Sequence, residues 1–326
     1  MHQLTWLPAA AILVLAIAGL PEGQQGERAV TTNPFRTFGI VANNAFFYYA
    51  DVERAARFYT QTLGIRMVAD YGYAKILRVS ESSYLTLVDA AKGMHAADEP
   101  KTTAIALITD QLDEWYRLIS SRGVPLRGTY QPIAGRPHDG FVAVDPEGYF
   151  LEFERFNAHQ ENVKLTPVLT ALPHLPASPV PPPDGSGSSG LGVKATVLWL
   201  YYRDLAAAER FYEDRLGFDL IVDQGWAKLY RTSSSGFIGL VDESRGMHRA
   251  TEKKGVTVSF FTDEIERWFA HVKGQQTFAL RSDAVHQDPE KRYRAFVGYD
   301  PEGYFLEFDL FLPHPQNPAL LAALRR

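Results

Sequence analysis

No cysteine occurs in the 326 residues. That excludes disulfide frameworks, thiolate metal sites, iron–sulfur clusters and cysteine nucleophiles together. No basic run occurs either. Lys and Arg number 33 against 38 Asp and Glu, a formal net charge of −5. The electrostatic footprint of a nucleic-acid binder is therefore missing. Gly-x-Gly-x-x-Gly, the phosphate-binding loop, Gly-x-Ser-x-Gly and the zincin-type helix motif are all absent from the sequence, which removes the usual signatures of dinucleotide, nucleotide, serine-hydrolase and metalloprotease chemistry. What the chain has in quantity is aromatic residues, 13% in all, with 16 Tyr and 20 Phe. Such a composition supports a large core or an aromatic-lined pocket. At roughly 100–200 residues per domain, the length points to two domains.

Leu7–Leu20 is apolar apart from Pro8 and Gly19. The run is shorter than the roughly 20 residues that span a bilayer, and it fits the apolar region of a secretory signal. Ala16-Ile17-Ala18 is a small-residue cleavage candidate, although no Lys or Arg precedes the run. Residues 1–25 are read as an export signal, placing the protein in a periplasm or outside the cell. An uncleaved anchor and a buried helix are the alternatives.

The rest of the chain repeats itself at an offset of 153 residues. Tyr48-Tyr49-Ala50-Asp51 matches Tyr201-Tyr202-Arg203-Asp204, Arg57-Phe58-Tyr59 matches Arg210-Phe211-Tyr212, and Gly93-Met94-His95 matches Gly246-Met247-His248. The register holds without a gap as far as Trp115 and Trp268. After a two-residue shift, Asp145-Pro-Glu-Gly-Tyr-Phe-Leu-Glu-Phe153 is identical to Asp300–Phe308. A period this long is a duplicated domain rather than a solenoid. Copy one is placed at 38–157 and copy two at 192–312. Between them, 158–191 is Pro-rich, then Gly/Ser-rich, and reads as a spacer that packs no core. In the tail, 313–326, Leu320, Leu321 and Leu324 suggest a short helix packed on a domain.

Within copy one, Phe46–Ala50 reads as a strand. Asp51 suits a helix N-cap, Val52, Ala55, Ala56, Tyr59 and Leu63 follow at helical spacing, and Gly64 ends the helix. Strand-like runs follow at Ile65–Asp70, Tyr73–Val79 and Tyr84–Val88. The cycle restarts with a strand at Thr103–Thr109, a helix capped by Asp110, and strands near Val124–Thr129, Phe141–Val144 and Tyr149–Phe153. Each copy is thus βαβββ twice.

This pattern, the run Asp-x-x-x-Ala-x-Arg-Phe-Tyr-x-x-x-Leu-Gly and the closing Asp-Pro-x-Gly-x-x-x-Glu-Phe resemble the vicinal oxygen chelate superfamily, which includes glyoxalase I, extradiol dioxygenases and the fosfomycin- and bleomycin-resistance proteins. The resemblance covers both copies. It implies an α+β fold of tandem duplicated domains, each of two βαβββ modules forming a partly open curved sheet around a cavity. Whether modules pair within a copy or between copies stays open. It also implies that enzymatic members hold a divalent metal with residues of the first strands and the closing strand. The matching first-strand positions, seven before the capping Asp, are Asn44 and Val197. The second units offer Ala104 and Thr257. The closing strands keep Glu152 and Glu307. A divalent site generally takes three protein ligands. One strong ligand per site remains, so no bound metal or other cofactor is expected.

Strand alternation places Asn44, Phe46 and Tyr48 on one face, and Val197, Trp199 and Tyr201 on the matching face. Phe150, Glu152, Glu154 and Phe156 share a face, as do Phe305, Glu307, Asp309 and Phe311. Tyr149, Leu151 and Phe153 are expected against the helices. Tyr73 with Lys75, and Trp226 with Lys228, are candidates to join the acidic face, the lysines as counter-charges. The ligand-binding candidates are Asn44, Tyr48, Lys75, Glu152, Trp199, Tyr201, Lys228 and Glu307. The candidates for catalysis, if there is any, are Glu152, Glu307, His95 and His248. Each has a plainer reading. Glu152 could pair with Lys75 or Arg78 in a structural ion pair, Asp-Pro-Glu-Gly is first a turn, and Phe46 and Trp199 could be core.

The reading favoured is an exported, metal-free protein that binds a small organic molecule, partly aromatic or cationic, between aromatic walls and carboxylates. Its partners would be that ligand, with no nucleic acid and no membrane beyond the N-terminal segment. The alternatives are a metal-dependent lyase, isomerase or ring-cleaving dioxygenase of the same superfamily, and a non-catalytic interaction scaffold.

Overall fold

The computed structural model describes residues 38–176, 190–275 and 278–325. The expected export signal lies outside these residues. Among them, no helix is long and apolar enough to cross a membrane.

Copy one runs β1 (Ala42–Tyr49), α1 (Val52–Arg57), β2 (Arg66–Asp70), β3 (Ala74–Ser80), β4 (Ser83–Asp89), β5 (Thr103–Ile108), α2 (Leu112–Ser121), β6 (His138–Val144) and β7 (Phe150–Phe156). Helix α3 (Leu165–Ala171) and the short pair β8 (Leu175–Pro176) and β9 (Gly192–Val193) follow. Copy two runs β10 (Ala195–Tyr202), α4 (Leu205–Arg210), β11 (Asp219–Asp223), β12 (Ala227–Arg231), β13 (Gly236–Asp242), β14 (Val256–Phe261), α5 (Ile265–Lys273), β15 (Ala279–Leu280), β16 (His286–Gln287), β17 (Tyr293–Tyr299), β18 (Phe305–Phe311) and α6 (Pro318–Leu324).

Local chemistry sets these bounds. The Asp51 and Asp204 carboxylates accept from Arg54 N and Ala207 N and so cap α1 and α4, satisfying N–H groups that a helix start leaves open. Both helices end in one π-type turn, Phe58–Thr62 and Phe211–Arg215. Gly64 and Gly217 then take positive φ, 72° and 67°, which a side chain disfavours. Asp110 does not cap α2. The N-cap is Gln111, and Asp110 pairs with Lys194 instead. The strand expected near Val124–Thr129 is reduced to a single bridge, Leu126 to Ala143.

The pairing of modules is settled between copies. One sheet has the order β15-β17-β18-β14-β1-β4-β3-β2, with β16 beside β17. It joins the first module of copy one to the last module of copy two, through antiparallel β1 and β14. The other has the order β11-β12-β13-β10-β5-β7-β6 and joins the two remaining modules through β10 and β5. We call these the terminal and the central sheet.

Helices cover one face of each sheet. Tyr149, Leu151 and Phe153 sit on that face, as alternation requires, with Phe153 5.0 Å from Trp115. Phe308 meets Trp268 of α5 in the same way. Phe47 stacks on Tyr149 at 3.9 Å, carrying one apolar cluster from sheet to sheet.

The segment after each copy also packs. Leu165, Leu169 and Leu172 are buried against Val222, Leu229 and Phe237 on the inner face of the central sheet. That part of 158–191 therefore does contribute to a core, contrary to its reading as a spacer. In the tail, α6 buries Leu320 against the terminal sheet, as its leucine spacing suggested. The two segments share a further repeat, now at an offset of 155. His159 and His314 Nδ1 accept from the backbone two residues on. Asn162 and Asn317 each donate twice to carbonyls, of Pro137 and Asn157 and of Arg292 and Leu312.

Candidate functional site

Because modules pair across copies, each inner face combines residues of both. On the terminal sheet the residues that meet are Tyr48 and His95 of copy one with Arg281, Phe305 and Glu307 of copy two. The Tyr48 hydroxyl bonds Thr257 Oγ1 at 2.7 Å. Gly93 lies against the Tyr48 ring so closely that a Cβ there would stand 2.6 Å from it, which is why Gly-Met-His starts with glycine. His95 stands edge-on to Tyr48 at 4.9 Å and over Phe305 at 4.5 Å. Its Nδ1 is 2.7 Å from Glu99 Oε2, and its Nε2 is buried with no hydrogen-bond partner among the described residues. Burial lowers the His95 pKa, Glu99 opposes that shift, and Arg281 adds to it.

Beside this cluster is a cavity of about 240 Å³. Its walls are aromatic: Phe46, Tyr48, Tyr71, Tyr73, Tyr293 and Phe311. Tyr73 and Tyr293 hydroxyls meet at 3.2 Å. Arg292, held by Asp288, lies 4.7 Å over Tyr71. Glu307 and Asp309 bring two carboxyl groups into the wall, two residues apart on one strand face. Ser259 Oγ donates to Asp309 Oδ2 at 2.6 Å. Burial pushes the Glu307 pKa well up, Asp309 beside it adds to the rise, and Arg281 opposes it. Asp309 is pushed up to about 6, first by burial. Two adjacent buried carboxyls cannot both ionise cheaply, so ionising one disfavours ionising the other. Exposed Lys92 stands at the cavity edge.

The central sheet carries the twin arrangement. Tyr201 and His248 of copy two meet Arg127, Phe150 and Glu152 of copy one. His248 stacks on Phe150 at 4.4 Å and stands edge-on to Tyr201 at 5.1 Å. Burial lowers the His248 pKa to about 4, and Arg127 contributes to the fall. Burial raises Glu152 to about 7, against the nearby Trp199 indole. Trp199 Nε1 nonetheless has no partner of full hydrogen-bond geometry among the described residues. Glu154 is pushed well up by burial and by Glu152. His138 Nδ1 stands 3.8 Å from Glu154 Oε1. The Trp199 ring covers Gly239, where a Cβ would stand 1.9 Å from it. The terminal sheet has Thr86 at that position and Phe46 in place of the tryptophan.

The sequence-derived candidates therefore divide. Tyr48 and Glu307 line the terminal cavity. Asn44 does not line it. Thr86, which does, donates to Asn44 Oδ1 at 3.0 Å. Glu152, Trp199 and Tyr201 share the central inner face. Tyr73 lines the terminal cavity, but Lys75 does not join it. Lys75 pairs with Asp70 and Glu53, both at 2.9 Å, and Lys228 pairs with Asp223 and Glu209. Tyr73 precedes β3, so the two residues do not share its alternation, and Lys75 turns to the helix side. The ion pair of Glu152 with Lys75 or Arg78 does not form, because these residues belong to different sheets.

The positions expected to hold a metal are corrected too. The residues in register with Glu307 and Glu152 are Ser259 and Ala106, not Thr257 and Ala104. Asn44 and Val197 stand opposite Ser259 and Ala106. Val197, Ala106 and Glu152 offer one ligating side chain. Asn44, Ser259 and Glu307 offer one carboxyl and two neutral oxygens that already hydrogen-bond Thr86 and Asp309. Neither trio fits a divalent ion with three protein ligands. No cluster of three His, Asp or Glu with metal-binding geometry occurs among the described residues.

The model of the glyoxalase/bleomycin resistance protein/dioxygenase superfamily matches residues 41–153 and 194–308. Glyoxalase I from Zea mays is similar in fold, with a TM-score of 0.57 and 15% identity over 90% of this chain and 98% of that one. A putative dioxygenase from Bacillus subtilis subsp. subtilis str. 168 is similar over 85% of this chain and 86% of that one, with a TM-score of 0.54 and 15% identity. No curated protein matches the chain. The chain belongs to the glyoxalase/bleomycin resistance protein/dioxygenase superfamily.

Proposed function

We propose that this protein binds a small organic cation, aromatic in part, in the cavity of the terminal sheet, and that it does so without a metal. One observation carries the reading. A cavity walled by six aromatic rings contains two adjacent buried carboxyl groups, Glu307 and Asp309, with Ser259 donating to Asp309. Aromatic faces attract cations and stack on rings, and a buried charge favours a ligand that neutralises it. The donor sets of both sheets support the metal-free part. Export through residues 1–25 belongs to the same proposal.

Thermal-shift and calorimetric titration with benzylamine, beside its neutral isostere benzyl alcohol, tests it. Stabilisation by the amine alone, abolished in a Glu307→Gln/Asp309→Asn double variant, is the expected result. Equal response to both compounds overturns recognition of a cation, and response to neither overturns ligand recognition and favours the scaffold alternative. Near-stoichiometric iron, manganese, nickel or zinc in protein purified without chelator overturns the metal-free reading and favours the enzyme.

A further inference from the structure

A second cavity, of about 200 Å³, adjoins the first. The two share Asp309 and Phe311 as a common wall. Their characters differ. The first is lined mostly by aromatic rings. The second is mixed, with Val41, Pro313, Leu321 and Leu324 along its aliphatic side, Phe261 and Phe311 beside them, and Thr262, Asp309 and the exposed Asp263 and Arg325 on its polar side. Helix α6 supplies its outer side. Leu169 of α3 is buried, whereas Leu324, 155 residues on, is half-buried and borders the cavity. Asp309, 2% exposed, thus lines both an aromatic compartment and a second one with an aliphatic side.

We propose that the two compartments form one elongated site for a secondary or tertiary amine. Its aryl end occupies the aromatic compartment, its nitrogen meets Asp309, and its aliphatic arm lies under α6. The C-terminal helix is then a specificity-determining part of the site. This rests on the reading of the first cavity as a cation site, and the test separates the two.

Calorimetry with benzylamine, N-butylbenzylamine and N-hexylbenzylamine reads the length of the site. Burying the arm is worth about threefold in affinity per methylene where it fits, so N-butylbenzylamine should bind about tenfold tighter or more than benzylamine. Leu321→Trp and Leu324→Trp, both at half-buried positions, fill the aliphatic compartment. Each should abolish the gain from the arm, so that N-butylbenzylamine binds no tighter than benzylamine to the same variant. If benzylamine binds and the arm adds nothing, or if the gain survives both tryptophans, the elongated site is overturned while the first reading stands. If benzylamine itself fails to bind, the first reading falls and takes this one with it.

Discussion

The Tyr149 hydroxyl of copy one donates to the Gly255 carbonyl of copy two at 2.5 Å and accepts from Tyr48 N at 2.9 Å. Tyr304 makes the reciprocal contact, bonding the Thr102 carbonyl and Tyr201 N. One hydroxyl in each copy thus closes the junction between two sheets that are both built from two copies. Tyr149→Phe removes the oxygen and leaves a buried amide and a buried carbonyl without it. We expect a loss of about 1–3 kcal/mol in urea unfolding, with an unchanged denaturant slope. An unchanged midpoint would mean that solvent reaches the junction.

The same exchange predicts how the chain responds to cutting. Six residue pairs join β1 to β14, and six join β10 to β5. A protease site engineered within 177–189 leaves both junctions untouched. The two fragments should co-elute as one species of the uncut mass in native mass spectrometry. Separation into independently folded halves would contradict the between-copy pairing.

Most of the local structure can be read from sequence because it depends on near neighbours. Asp51 caps a helix three residues away, Gly64 ends it through its own φ, and Phe153 faces Trp115 by simple alternation. Module pairing depends on a choice between near-identical partners. β5 and β14 occupy equivalent places in the two copies, so nothing local tells β1 which to join. The site inherits that ambiguity. Tyr48 could be assigned to a ligand-binding face and His95 to the catalytic candidates, but neither to Glu307 rather than Glu152. Lys75 departs from its expected face because Tyr73 lies just outside β3 and does not share its alternation. The packing helix α3 was hidden by the prolines that follow it. Its signal was the spacing His-x-x-Asn-x-x-Leu, present at His159 and His314.

The Glu307–Asp309 pair should make stability depend on pH. Asp309 rises from 3.8 to about 6, and Glu307 rises further above 4.5. The folded state therefore keeps protons that the unfolded chain has released. The resulting stability is fully present below about pH 4 and is lost as pH rises through about 6 and beyond. Glu307→Gln leaves a single ionisable group there. At pH 8 it should be about 1–3 kcal/mol more stable than the parent chain, and the difference should vanish at pH 4. Melting curves across that range check it. A difference independent of pH would show that folding does not raise the Glu307 pKa.

Gly93 and Gly246 are held by space rather than by backbone angle, since neither has a positive φ. A Cβ at Gly246 would stand 2.5 Å from the Tyr201 ring, and one at Gly93 2.6 Å from Tyr48. The tyrosine rings are buried and cannot swing clear, so the loop must lift. Gly93→Ala should cost about 1–3 kcal/mol, and it should weaken benzylamine binding because Tyr48 and Met94 both line the terminal cavity. Gly246→Ala should cost a similar amount and leave that binding intact, because its tyrosine belongs to the other sheet. Comparing the two variants by melting temperature and by titration separates damage to the fold from damage to the site. Equal loss of binding in both would mean that the two inner faces act as one.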